Sequence, residues 1–157
     1  MYKKILVPLD GSKLAECALP HVEMLAKGCD TEEVILISVT ERVKGYRMFE
    51  DPSQPLGQRR IPEASGKKEK QAQRYLDRIA KEMEAKGIKV GKEVLLWKPA
   101  EAIIGYAEQS KCDLIVMASH GRSGPSRLAY GSVADKVLRG SRVPVLVVRA
   151  PGCVPNI

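Results

Sequence analysis

The residues best suited to chemistry lie between Leu114 and Val133. Ser119, Ser123 and Ser126 offer hydroxyls, His120 an imidazole, Arg122 and Arg127 guanidiniums, and Gly121, Gly124 and Gly131 let a backbone approach a ligand closely. The loop ends at Gly131-Ser132, where a helical pattern begins. The first amides of a helix have no intrahelical partner and carry a partial positive charge, so this combination suits a phosphate. The same residues also fit a plain turn: Ser132 with Asp135 has the form of a capping box, and the glycines suit tight turns.

Other chemistries find less support. There is no G-x-x-x-x-G-K-[ST] loop and therefore no lysine poised on a phosphate, and no Ser/His/Asp or metal-binding set stands out by spacing. His120 could act as a base near a phosphate, but a loop histidine has structural uses too. An enzyme acting on a nucleotide would need acidic metal ligands, for which Asp113 and Asp135 are the nearby candidates. Cys17, Cys29, Cys112 and Cys153 lie far apart without a C-x-x-C, the pattern of reduced thiols in a cytoplasmic protein; Cys17 and Cys112 are expected packed and Cys153 exposed.

The net charge of +7 is unevenly placed. From residue 117 onward, Arg122, Arg127, Lys136, Arg139, Arg142 and Arg149 face Asp135 alone, so positive potential gathers around the loop. Such a field attracts any polyanion. One Phe, one Trp and scattered Tyr make no stacking stripe, however, which places nucleic acid behind a small phosphate ligand. No apolar run approaches the roughly 20 residues of a membrane span, so neither a span nor a signal peptide is expected.

The elements that position the loop read as alternating strands and helices. Lys4–Leu9, Glu33–Val39, Ile88–Leu96, Leu114–Ala118 and Val143–Val148 are apolar strands, the third partly alternating as near an edge. Between them fall a helix N-capped by Ser12 and stopped at Gly28, a charged helix from Lys67 to Lys86 stopped by Gly87, a third opened by Pro99, and a last one over Ser132–Arg139. His21 is read as a surface or interface residue rather than a ligand. Residues 41–66, rich in Pro and Gly, interrupt the rhythm and are expected to be a mobile insertion, with Arg59 and Arg60 solvated. The chain, at 157 residues, fits one domain. Five strands with crossover helices predict an α/β fold, a doubly wound open parallel sheet with helices on both faces.

Two motifs carry a resemblance. Ala118-Ser-His-Gly121, nine residues, then Gly131-Ser132, followed by an apolar helix and Val143-Pro-Val-Leu-Val-Val148, resembles the C-terminal signature of the universal stress protein family, in its ATP-binding subgroup. Tyr2-Lys-Lys-Ile-Leu-Val-Pro-Leu-Asp-Gly-Ser12 is similar to that family's first strand and terminal aspartate. The chain departs from the pattern at Ala118, where the family carries glycine, and at Trp97-Lys98-Pro99, where it carries Gly-x-Pro.

The resemblance implies the strand order 3-2-1-4-5, residues 1–149 as one nucleotide-binding domain, 150–157 as a tail, and a homodimer paired through the Val143–Val148 edge. It implies that Pro8, Asp10, Val39 and Met117 border adenine and ribose and that Ala118 lies near the ribose. Gly121, Gly131, Ser132 and Val133 would give amides to the phosphates, Arg122 and Arg127 would reach the phosphates or simply water, and the Ser132 hydroxyl would add a bond or touch Mg²⁺. From the residues alone, Asp10 could equally cap the next helix, and Val39 could be plain core. The function implied is an adenine-nucleotide switch or sensor in a stress response, taking ATP, or ADP or AMP. A nucleotide-free dimeric interaction module is the alternative.

Overall fold

The apolar runs form the middle of a parallel sheet because both of their faces are covered. In this computed structural model, which describes residues 1–40, 66–121 and 130–151, β1 (Lys4–Pro8), β2 (Glu33–Thr40) and β4 (Leu114–Ala118) lie inside β3 (Val90–Leu96) and β5 (Val145–Val148). The order is β3-β2-β1-β4-β5 and every pairing is parallel, as the resemblance implies. Residues 41–65 of the 41–66 insertion, Arg122, Arg127 and Cys153 fall outside the described residues, and so do the expectations for them.

Strand alternation divides the core into two layers. Ile5, Val7, Val34, Leu36, Leu114 and Val116 face a 3-10 helix (Ala15–Ala18), α1 (Leu19–Gly28) and α2 (Lys67–Glu84). Leu6, Ile35, Ile37, Leu95, Ile115 and Met117 face α3 (Pro99–Gln109) and α4 (Ser132–Gly140). Many of these side chains are wholly inaccessible, and each such burial contributes about 1.5–3 kcal/mol.

Local chemistry explains where the elements depart from expectation. The first helix is split because Pro20 has no amide to donate and its ring would clash with the Glu16 carbonyl. A 3-10 turn therefore ends at Ala18, the Leu19 amide donates to Glu16, and α1 begins with Pro20 in its first turn. Gly28 is the last residue of α1 rather than its left-handed stop, a conformation taken by Asp30 at φ 49°. Gly87, at φ 82°, does fill that role after α2. β3 and β5 start two residues later than the sequence suggests, at Val90 and Val145; Pro144 contributes its carbonyl to the Ile115 amide at 2.9 Å.

At the N-terminal end of the strands, Asp113 Oδ2 accepts the amides of Lys3 and Lys4, both at 2.8 Å, locking β1 against β4. At the other end the crossovers diverge. β1 feeds the 3-10 helix and α1 on one face, while β4 leads through the loop to α4 on the other. Such a switch in direction between neighbouring strands opens a crevice at their C-terminal tips.

Candidate functional site

The crevice is bounded on one side by the turn after β1. Leu9 extends the strand by one bond, its amide donating to Ile37 at 2.8 Å, and Gly11 at φ 84° turns the chain. Asp10 Oδ1 accepts both the Ser12 amide at 2.9 Å and the Ser12 hydroxyl at 2.6 Å, while Ser12 Oγ accepts the Ala15 amide at 3.2 Å. Ser12 thus holds the first amide of the 3-10 helix, whose N-cap residue is Leu14, and Ser12 also fixes Asp10 Oδ1. The other oxygen, Oδ2, lies against Gly121, so close that a Cβ on Gly121 would collide with it. Residues 111 positions apart in sequence thereby share one wall.

The start of α4 meets the tip of β4, with Gly131 against Ser119 and His120. The N-cap of α4 is Gly131, extended at φ −67° and ψ 160°, with no side-chain capping bond, so Ser132 is the first helical residue and the capping-box reading of Ser132 with Asp135 does not hold. Asp135 instead pairs with Arg139 at 3.0 Å, and its amide donates to Gly131 at 2.9 Å. The amides of Ser132, Val133 and Ala134, the first three of the helix, have no intrahelical partner. Gly131 does not add its own, which donates to the Ser119 carbonyl at 2.8 Å; its contribution is space, since a Cβ there would meet that carbonyl at 3.2 Å.

The floor comes from the strand tips. Pro8 and Val39 are half-buried, Met117 and Ala118 almost closed. Met117 belongs to the α3 and α4 layer with Val39, and Trp97 packs against the same layer. Alternation sends the Ala118 methyl to the side shared with Val116, beneath the 3-10 helix. His120 is buried with Ser119, its Nδ1 3.1 Å from Ser119 Oγ, a place for a structural imidazole rather than a solvent-exchanging base. His21 is exposed, as expected.

The turn that carries Asp10 is braced from α2. Glu16 accepts Lys13 Nζ and Arg78 Nη2, each at 2.9 Å, and the Arg78 guanidinium lies 5.4 Å from the Tyr75 ring centroid. Partial burial works to raise the Glu16 carboxyl, but the bonds from Lys13 and Arg78 outweigh it and hold the group below 4.5. The Tyr75 hydroxyl is buried beside Glu16; burial, then the neighbouring Glu16 charge, push its ionisation up.

Sequence reasoning missed three parts of this site. Ser12 orients Asp10, which the Asp-Gly-Ser order signals as an Asx turn. The Ala134 amide follows from the helix start once Gly131 is the cap. The junction role of Ser119 had no local signal. Asp113, named as a candidate metal ligand, stands at the opposite end of the sheet, and among the described residues no group of three or more His, Cys, Asp or Glu could hold a metal.

The family model for the universal stress protein family matches residues 1–149. The chain belongs to the universal stress protein family. Universal stress protein MJ0577 of Methanocaldococcus jannaschii is 36% identical over 156 residues, covering 95% of this chain and 96% of that one. Universal stress protein YxiE of Bacillus subtilis is 30% identical over 155 residues, covering 95% and 100%. The solved structure of MJ0577 superposes with a TM-score of 0.75 at 31% identity over 97% of this chain and 99% of that one. A universal stress protein solved in complex with cAMP superposes with a TM-score of 0.65 at 21% identity, covering 95% and 98%, which shows the shared fold. In this universal stress protein no helix among the described residues is long and apolar enough to cross a membrane.

Proposed function

We propose that the crevice between Asp10 and α4 binds an adenine nucleotide, ATP with Mg²⁺ foremost, and that the protein acts as a nucleotide-dependent switch or sensor in a cytoplasmic stress response. The observation that carries this reading is the pairing of an oriented Asp10 against Gly121 with an uncapped helix N-terminus across the same crevice. Three outward amides suit a polyphosphate, and the macrodipole adds to their attraction. A carboxylate accepts hydrogen bonds, which suits the hydroxyls of a ribose rather than its phosphates. Pro8, Val39 and Met117 supply an apolar surface for the base, and the Ser132 hydroxyl, at the exposed end of α4, is within the reach of a phosphate-bound Mg²⁺. Chemistry in the crevice would be limited to slow hydrolysis, because the buried imidazole of His120 is engaged with Ser119.

The protein would act as a homodimer through β5. Among the described residues this strand pairs with β4 alone, and Leu146 on it is 38% exposed, an apolar edge suited to a second copy. Nucleotide would then bias one loop state over another by its differential affinity.

Ser132→Pro tests the cradle. Proline is accommodated at the first helical position, and the extended Gly131 suits the residue before proline, so the helix stands while one amide disappears. Titration of nucleotide-stripped protein with Mg-ATP should show affinity about ten- to a hundred-fold weaker, the worth of one hydrogen bond to a charged group. Ser132→Ala, which keeps the amide, separates out the hydroxyl. Unchanged affinity in Ser132→Pro, with an unchanged urea midpoint, would move the phosphates elsewhere. Absence of nucleotide both in the purified protein by mass spectrometry and in the titration would favour the nucleotide-free interaction module.

A further inference from the structure

Ser119 uses its hydrogen-bonding groups on separate parts of the chain. Its amide donates to the Val148 carbonyl at 2.7 Å, the last residue of β5, and its carbonyl accepts the Gly131 amide at 2.8 Å. Its Oγ accepts the Ala150 amide at 3.0 Å and stands 3.1 Å from His120 Nδ1. Ser119, His120 and Ala150 are 2, 3 and 2% exposed, so water does not substitute for these bonds. The His120 ring in turn lies along Gly131, where an added Cβ would stand 3.6 Å from Cδ2. Two residues further on, Gly121 meets Asp10.

We propose that Ser119 is a positioning residue that couples occupancy of the α4 cradle to the exit of β5. This inference rests on the nucleotide reading of the crevice. A phosphate drawn onto the Ser132, Val133 and Ala134 amides acts on Gly131, the residue immediately before them. Gly131 is tied to the Ser119 carbonyl and abuts His120, and both lead back to Ser119, whose amide and hydroxyl hold Val148 and Ala150. Each link is a hydrogen bond of the buried Ser119 or a close packing contact, and a buried polar group resists leaving a partner unsatisfied because that is costly. By linkage the coupling runs both ways, so an event that orders the end of β5 also tightens nucleotide binding.

The Ala150 amide reports the coupling, being bonded to Ser119 Oγ and belonging to neither the crevice nor β5. In ¹⁵N-labelled full-length protein titrated with Mg-ATP, its resonance is expected to move and to saturate with the same midpoint as binding measured by calorimetry. In Ser119→Ala the hydroxyl is gone while both backbone bonds remain. That variant is expected to bind ATP about five-fold more weakly, the worth of one neutral hydrogen bond, and to leave the residue-150 amide unmoved at saturation; Ser119→Thr, which keeps the oxygen, is expected to restore both. An Ala150 resonance that stays put in ATP-saturated parent protein overturns the coupling and leaves the nucleotide reading intact. The same shift in Ser119→Ala as in the parent also overturns it. A parent protein that does not bind ATP overturns both. Should Ser119→Ala fail to fold, the parent titration alone still decides.

Discussion

The contact between Asp10 and Gly121 can be tested without any ligand. Gly121 does not adopt the left-handed conformation, which among the described glycines is held by Gly11 and Gly87, so alanine at 121 introduces no backbone strain. Its methyl would collide with Asp10 Oδ2 and force the carboxylate to rotate away from the Ser12 amide and hydroxyl, now at 2.9 and 2.6 Å. Hydrogen bonds to a charged group contribute about 1.5–3 kcal/mol. Replacing glycine returns about 0.4–1 kcal/mol by restricting the unfolded chain. Because these groups are only partly buried and regain water, the two bonds together count for roughly one, and the net expectation for Gly121→Ala is a loss of about 1–2 kcal/mol. With Asp10→Ala already in place the obstacle is gone, and Gly121→Ala should become neutral or stabilising by about 0.5 kcal/mol. The assay is urea unfolding of the parent, both single variants and the double variant, comparing midpoints at unchanged slope. Additive effects would refute the contact, as would a Gly121→Ala variant as stable as the parent.

Three further expectations follow from the geometry. Arg78→Ala should cost about 0.5–1 kcal/mol at pH 7, discounted for the partial exposure of the pair. Because the Glu16 carboxyl is held below 4.5, that stability is present above this value and is lost as acid protonates the group, so parent and variant should converge in unfolding experiments run toward pH 3. Burial pushes the Cys112 thiol up from 9.0 to about 11, so the unfolded chain releases its proton first as pH rises. Stability should therefore fall above about pH 9, and native Cys112 should alkylate far more slowly than the half-buried Cys29, a difference erased in urea and read by peptide mass spectrometry. Leu146→Lys should convert a β5-paired dimer to monomer in sedimentation velocity with little change in unfolding midpoint, since that side chain is already 38% exposed; a variant that stays dimeric would place the interface elsewhere.

The sequence by itself determined the strands, the sheet class and the two motifs. β1, β2 and β4 are legible because strands buried on both faces must be continuously apolar, as Leu114–Ala118 is. Gly87 and Pro99 punctuate helices through backbone restrictions that need no partner, and they act where the sequence places them. Tertiary structure decided what depends on a partner distant in the chain. Ser132 and Asp135 satisfy the spacing of a capping box, yet Gly131 is the cap, because its amide is fixed by Ser119 and the helix starts one residue earlier than a Ser132 cap requires. Asp113 follows the same rule, being near the loop in sequence and at the far end of the sheet in space, since a strand carries its two ends apart. Asp10 shows both contributions at once: its bonds to Ser12 are written in the Asp-Gly-Ser order, while its packing on Gly121 exists only because β1 and β4 are neighbours in the sheet.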